Sequence, residues 1–295
     1  MISVLRPVSI GRLLRGRAFV HFAADLAQCS PSPYAVSAWW QAAHNPNDVD
    51  RRLMWYRVWH GATPNAHTRS VLRSRFAYVD EFFDNPLWSV IASCVQQADW
   101  DDLACSIRVG GKQLESYDGP VTSLLFDRVD WPSFAAHWVL LHSRVSKFVF
   151  HRSWLKKNLR NMFSLCCTQS PIYSIRVPLF LELNSDVESN NFGLSFDLDE
   201  IRARWRFYEV LSLLLCDVSW LAKNDQCRAM CLWKFLDECN ECFCEQLDGW
   251  FCGERFLLPD NMQKKWLLQI NCWADNPVSL NGHVLQLGSL TVKVP

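Results

Sequence analysis

The chain is 295 residues long, 49% hydrophobic and 20% charged, a balance that excludes a disordered polar chain and leaves an ordered globular protein of one large domain or two smaller ones. Its longest apolar run, Val210 to Leu215, meets Cys216 and Asp217, well short of the roughly 20 residues that cross a bilayer, so no membrane span is expected. Thirteen cysteines, an odd count that includes the adjacent Cys166 and Cys167, point to reduced thiols and a cytoplasmic protein.

The first segment, MISVLRPVSIGRLLRGRAFVHF, carries Arg6, Arg12, Arg15 and Arg17 without an acid. Those arginines interrupt the apolar stretch that a secretory signal needs, although the composition also matches an Arg-rich transit peptide. A short helix fits YAVSAWWQAAH over 34–44, ended by the turn residues NPND. DVDRRLMWYRVWHG over 48–61 has helical spacing, and Thr63 before Pro64 reads as the cap and first-turn proline of a helix running to about Phe76. Helices are expected again over 84–95 and within ADWDDLACS, followed by a hairpin at SIRV-GG-KQLES turning on Gly110 and Gly111.

DWPSFAAHWVLLHSRV and SWLKKNLRNMFSLCC read as two basic amphipathic helices, and Pro171 closes the helical half. IYSIRVPLFLEL over 172–183 is rich in β-branched and apolar residues and reads as a strand, with Pro178 at an edge or break. NSDVESNNFG then reads as a polar loop and GLSFDL as a short strand. Asp199 caps the next helix, in which Glu200 and Arg204 have the favourable spacing of four. The last segment, KWLLQINCW and VSL-NG-HVLQL-GS-LTVKV, has two-residue turns at Asn281-Gly282 and Gly288-Ser289 and predicts an antiparallel meander. The expected fold is therefore an α-rich α+β protein. Residues 1–168 form a mainly helical domain with one hairpin, and residues 169–295 form an α+β domain of long helices with a C-terminal meander.

Zero net charge conceals segregation. Residues 1–75 carry ten arginines against three aspartates, 76–130 carry three basic against ten acidic residues, and 131–181 carry seven basic residues and no acid. Residues 182–260 then carry sixteen acids against seven basic residues. Such blocks either pair within the fold or present separate surfaces to partners. In the first block every cation is Arg, whose planar fork suits bidentate phosphate or base contacts.

CLWKFLDECNECFC, residues 231–244, raises the question of a metal centre. On one helix, Cys227, Cys231, Cys239 and Cys242 share a face, but a rise of about 1.5 Å per residue separates the outer pair by roughly 22 Å. Four thiolates on one zinc must each lie about 2.3 Å from it, so a straight helix cannot close that cage. Zinc binding then requires Cys239, Cys242, Cys244 and Cys252 beyond a helix end, in a spacing that is not a standard zinc pattern. The alternatives are buried structural thiols and a redox pair at Cys239 and Cys242, whose acidic neighbours would raise a thiol pKa. No cofactor is required by the sequence.

Enzyme signatures are absent: there is no G-x-S-x-G, G-x-x-x-x-G-K, G-x-G-x-x-G or H-E-x-x-H. His137 and His142 lie five apart, poor spacing for a metal pair on a helix, and each reads as a surface or partly buried histidine. The segment that points to function is RRLMWYRVWHGATPNAHTRSVLRSRF, residues 51–76. It interleaves Arg51, Arg52, Arg57, Arg69, Arg73 and Arg75 with Trp55, Tyr56 and Trp59.

In outline, residues 45–76 resemble the third helix, glycine-containing turn and fourth helix of the Cro and λ-repressor type of helix-turn-helix. The resemblance implies that Arg51, Arg52 and Arg57, with Trp55 among them, face nucleic acid, while Arg69 or Arg73 holds phosphate and Arg75 extends the basic set. The turn Gly61-Ala62-Thr63-Pro64 is one residue shorter than the family's, and Trp59 stands where the family usually has an acid.

The sequence supports three readings. One is a non-enzymatic cytoplasmic regulatory protein that binds nucleic acid through its Arg/Trp segment. The second is a protein–protein adaptor or complex subunit, with self-association or a co-purifying partner. The third is a zinc protein using the 239–252 cysteines.

Overall fold

The computed structural model describes residues 9–43, 52–77, 79–96, 99–116, 119–170, 172–190, 192, 194, 197–215, 225–237 and 285–287. In chain order the first helices are α1 (Ile10–Ala27), α2 (Pro33–Ala43), α3 (Arg52–Trp59), α4 (Ala66–Leu72), α5 (Val79–Phe83), α6 (Pro86–Gln96) and α7 (Trp100–Ser106). The hairpin β1 (Ile107–Val109) and β2 (Lys112–Gln113) follows, then α8 (Gly119–Phe126), α9 (Trp131–His142) and α10 (Val149–Cys166). The chain continues through α11 (Arg176–Asn190), α12 (Leu198–Leu215), α13 (Asp225–Asp237) and β3 (Leu285–Leu287). The protein is helix-rich, and its described residues group into two compact units.

The first unit is built from α1 to α6 and the chain from Ser170 to Ser189, so it draws on both sides of residue 168. At its centre lies α1, opened by Ser9, whose hydroxyl accepts from the Arg12 amide, and closed by Gln28 in the left-handed region at φ 50°. Leu14, Ala18, Phe19, Val20, Ala23 and Ala24 are its buried face. Gly16 is where α3 crosses: a β-carbon there would overlap the Val58 carbonyl, so only glycine lets the two backbones approach this closely. Phe19 lies 5.9 Å from the Trp55 ring, 5.2 Å from Phe76 and 4.8 Å from Phe83, and Trp40 stacks on Phe76 at 6.2 Å. Aromatic pairs at these separations add to the burial of their large apolar areas.

The second unit is organised around α9 and α10. Asp130 caps α9 by accepting from the Ser133 amide at 2.7 Å, and it pairs with Arg128 at 2.6 Å. Asp101 of α7 receives the Ser143 hydroxyl and the Arg144 amide, 2.9 and 2.6 Å away. These hydrogen bonds, the Arg144 amide foremost, hold its carboxyl below the ordinary aspartate value. Between α10 and α12 a polar group closes: Arg204 of α12 pairs with Glu200 at 2.7 Å, and Asn161 of α10 accepts from both Arg204 and the Tyr208 hydroxyl. The pairing of Glu200 with Arg204 follows the spacing of four seen in the sequence, and it lies inside, with Arg204 only 1% exposed.

Several expectations are corrected. Residues 172–183 do not form a strand: a 3₁₀ turn at Ile172–Ile175 leads directly into α11, which also takes up the start of the stretch read as a polar loop. Pro178 is tolerated because it falls in the first turn, where its missing N–H costs no helical hydrogen bond. Pro171 therefore does not end the helical part of the chain. Asn65, not Thr63, caps α4 by accepting from the Thr68 amide at 2.8 Å, and that helix stops at Leu72. Asp197, not Asp199, caps α12, accepting from the Asp199 and Glu200 amides, both 2.9 Å away.

Helix α9 is not amphipathic: Trp131 and every residue from Ser133 to His142 are buried, so neither His137 nor His142 is a surface side chain. The hairpin forms as expected, with Gly110 and Gly111 at φ 58° and 80° supplying the left-handed turn. Of the expected C-terminal meander, only Leu285–Leu287 lies within the described residues. It joins β1 antiparallel, pairing Ile107 with Leu287 and Val109 with Leu285, in a sheet ordered β2-β1-β3.

Candidate binding face on the first unit

The face is formed by α2 and α3. Helical spacing turns Trp55 and Val58 inward and leaves Arg52, Leu53, Tyr56, Arg57 and the following His60 exposed. Trp55 has no accessible surface and packs between Phe19 and Trp40, with ring centres 5.9 and 5.8 Å away. It thus anchors α3 to α1 and α2 and presents no ring to a nucleobase. Its neighbour Tyr56 is exposed, and its ring sits 4.4 Å from that of His60.

From α2, Tyr34 projects at 73% exposure toward Leu53 and Tyr56, each at 56%. With Pro33 and Arg52 these residues line a hollow of about 430 Å³. Exposed bulky apolar groups normally occur singly on a protein surface, and a cluster around a concavity is the arrangement found at interaction sites. Neither PYAVSAWWQAA nor RLMWYRVW contains an acid. Arg57 has no ion-pair partner among the described residues.

The other arginines of the segment behave differently. Arg69 pairs with Asp84 at 2.7 Å and Asp80 at 3.4 Å, hydrogen-bonds the Pro64 carbonyl at 3.3 Å, and lies 5.4 Å from the centre of the Phe83 ring. The Asp84 hydrogen bond is the main reason its pKa is raised. Arg73 pairs with Asp80, whose carboxyl is lowered by that bond first and by Arg69 second. Arg15 of α1 lies 5.5 Å from Phe83, donates to the Phe83 carbonyl and the Thr63 hydroxyl, and is lowered to about 10, chiefly by burial. The first basic block and the acidic block after it are therefore partly neutralised against one another. Arg75 is exposed beyond α4, and Arg51 lies outside the described residues.

Cys231 of α13 is buried, as are Cys166 and Cys167, and burial pushes the Cys166 thiol well up. Cys239, Cys242, Cys244 and Cys252 lie outside the described residues. Among the described residues, no three His, Cys, Asp or Glu side chains come together in a way that could hold a metal ion. No described helix is long and apolar enough to cross a membrane.

No protein-family model, curated protein or solved structure matches this chain.

Of the residues singled out in the sequence, Arg52 and Arg57 are exposed on α3, Arg69 and Arg73 pair with Asp80 and Asp84, and Trp55 is buried. Tyr34 was missed altogether. Its spacing of three from the buried Ser37 gives no sign in the sequence that Tyr34 stands 73% exposed at the start of α2.

Proposed function

We propose that this is a non-enzymatic regulatory or adaptor protein and that the α2–α3 face is where it holds a partner protein. The observation that carries the proposal is the hollow walled by Tyr34, Leu53 and Tyr56 with Arg52 at its edge. Tyr and Arg are the residues in which binding energy concentrates at interfaces, because they combine large contact area with directed hydrogen bonding. Leu53 adds aliphatic surface that another protein can bury.

A second reading, nucleic-acid binding, is favoured by the alternation of Arg52 and Arg57 with two exposed tyrosine rings, since bases stack on such rings while cations meet phosphates. The helix-turn-helix resemblance of residues 45–76 supports the same reading. Weighing against it, Arg69 and Arg73 are engaged by Asp80 and Asp84, and Trp55 is inside the core. Interfaces for nucleic acid are much more positive than those for protein.

Selection of displayed random 16-residue peptides against the full chain tests the choice. Partner binding predicts enrichment on the wild type and none on a Leu53→Asp, Tyr56→Ala variant of unchanged circular dichroism. The nucleic-acid reading predicts instead that a fluorescent 20-nucleotide single strand binds with steep salt dependence and is released by Arg52→Glu with Arg57→Glu. Neither peptide enrichment nor probe binding would contradict both readings.

A further inference from the structure

We infer that the outward face of α10, in the second unit, rests on a membrane surface of anionic lipid without crossing it, independently of what the α2–α3 face holds. Most of this helix reads in the sequence as basic and amphipathic, and the function proposed above leaves it unused. At about 100° per residue, Val149, Phe150, Ser153, Lys156 and Lys157 fall within an arc of roughly 120°. All five are exposed, Val149 at 63% and Phe150 at 47%, while His151, Leu155, Leu159 and Met162 turn into the core. The face is thus apolar at the start of the helix and basic about 10 Å further along its axis.

No acid interrupts it, since residues 131–181 carry seven basic side chains and no carboxylate. Neither Lys156 nor Lys157 has an ion-pair partner among the described residues. The neighbouring cations are engaged: Lys147 by Glu115 at 2.9 Å, Arg160 by Glu200 at 3.6 Å, and Arg152 by the Ser143 and Val145 carbonyls, both 2.9 Å away. Negative charge from outside therefore finds its counter-charge at the two lysines, on the same side of the helix as the apolar pair.

The residue types favour lipid over other anionic partners. Lysine is depleted at protein–protein interfaces, whereas at a bilayer its long apolar stem keeps the ammonium at headgroup level while the helix end sinks. Val149 and Phe150 stand out from the helix, and a soft bilayer admits protruding side chains without offering a matching cavity. An interface for nucleic acid is far more positive than two lysines make this one, and Val149 offers a base no ring to stack on. Each lysine near an anionic surface strengthens binding about fivefold, and burial of the apolar pair adds to it. Neither contribution suffices alone, so binding requires both anionic headgroups and the apolar helix start.

Flotation of the full chain with vesicles of phosphatidylcholine alone, or with about 30% phosphatidylserine added, tests the inference. Binding is expected to the anionic vesicles only, and it should fall as salt rises from about 0.1 to about 0.5 M. Lys156→Glu with Lys157→Glu should weaken it about 25-fold or more, and Val149→Asp about fivefold or more. Aspartate suits the first turn of a helix, so Val149→Asp keeps α10 folded, which circular dichroism checks. Arg75→Glu, a charge reversal in the first unit, should leave binding within about twofold. Absence of vesicle binding, equal binding to neutral vesicles, or a loss on Arg75→Glu as large as that on the lysine pair overturns the inference. Capture of soluble polyglutamate or of a single-stranded oligonucleotide through Lys156 and Lys157, without vesicle binding, would give the face to an acidic protein or a nucleic acid and overturn it as well.

Discussion

Gly16 in the first unit and Glu200 in the second show how a single position sets the packing inside each unit. At Gly16 the neighbour of a β-carbon is the Val58 carbonyl, a backbone atom that cannot rotate away, so Gly16→Ala must separate α1 from α3. We expect a loss of about 2 to 3 kcal/mol in urea unfolding. At Gly111, where φ is 80° and nothing lies within 4 Å of a β-carbon, alanine should cost only about 1 kcal/mol of backbone strain. Reversed or equal effects would contradict the close crossing.

Glu200 meets Arg204, which is 1% exposed, and Glu200→Ala takes that carboxylate from a buried guanidinium. The expected cost is about 3 kcal/mol. Arg202→Ala, which breaks a pair with the 88%-exposed Asp199 carboxylate, should stay within about 0.5 kcal/mol. The Glu200–Arg204 pair was legible in the sequence from its spacing. Its burial was not, because spacing locates a partner on the same helix without saying what α10 brings across.

At the scale of elements, the most consequential pair is α9 with α10, which enclose two imidazoles. His137 and His151 are fully buried, and the Phe126 ring lies 5.5 Å from each. Burial pushes His137 down to about 3 against the opposing effect of the Leu125 backbone carbonyl, with His151 adding a smaller repulsion. It pushes His151 down to about 4, with Arg152 adding to the effect. Both values lie below the unfolded value of about 6.5, so the unfolded chain binds protons that the folded chain refuses. Stability from this source is complete above that value and is lost as pH falls below it.

Each imidazole should cost about 2 kcal/mol between pH 7.5 and pH 5. Urea unfolding at the two pH values should therefore show a steep fall for the wild type, and a shallower one for His137→Phe with His151→Phe. Equal slopes would mean that the histidines are protonated or solvated in the fold.

The same helix shows why some elements misread. Its sequence places Ser, His and Trp among apolar residues, which on a helix at a surface gives two faces, and only the packing of α9 on every side makes it a core helix. The strand expected at 172–183 failed for a related reason. β-branched and apolar residues fit a strand and a buried helix equally well over a short run, and Pro178 was decisive only once its first-turn place was known.

Across the whole molecule, the alternating charge blocks divide their roles. Within the first unit, Arg69 and Arg73 meet Asp80 and Asp84, so part of the basic block is spent on the fold. What remains outward on α3 is a narrower, amphipathic surface. Composition could announce segregated charge, but only the turn of each helix decides which arginines are consumed. Tyr34, Leu53 and Tyr56 come together because Trp55 and Trp40 draw α3 and α2 onto α1, leaving the opposite sides of both helices open.

The central claim, that this face receives a partner, is tested most directly by hydrogen–deuterium exchange of the full chain with and without a selected peptide at saturating concentration. The account predicts slowed exchange over Pro33–Ala43 and Arg52–Trp59, absent in the Tyr56→Ala protein. Protection confined to other helices such as α10, or protection unchanged by Tyr56→Ala, would contradict it.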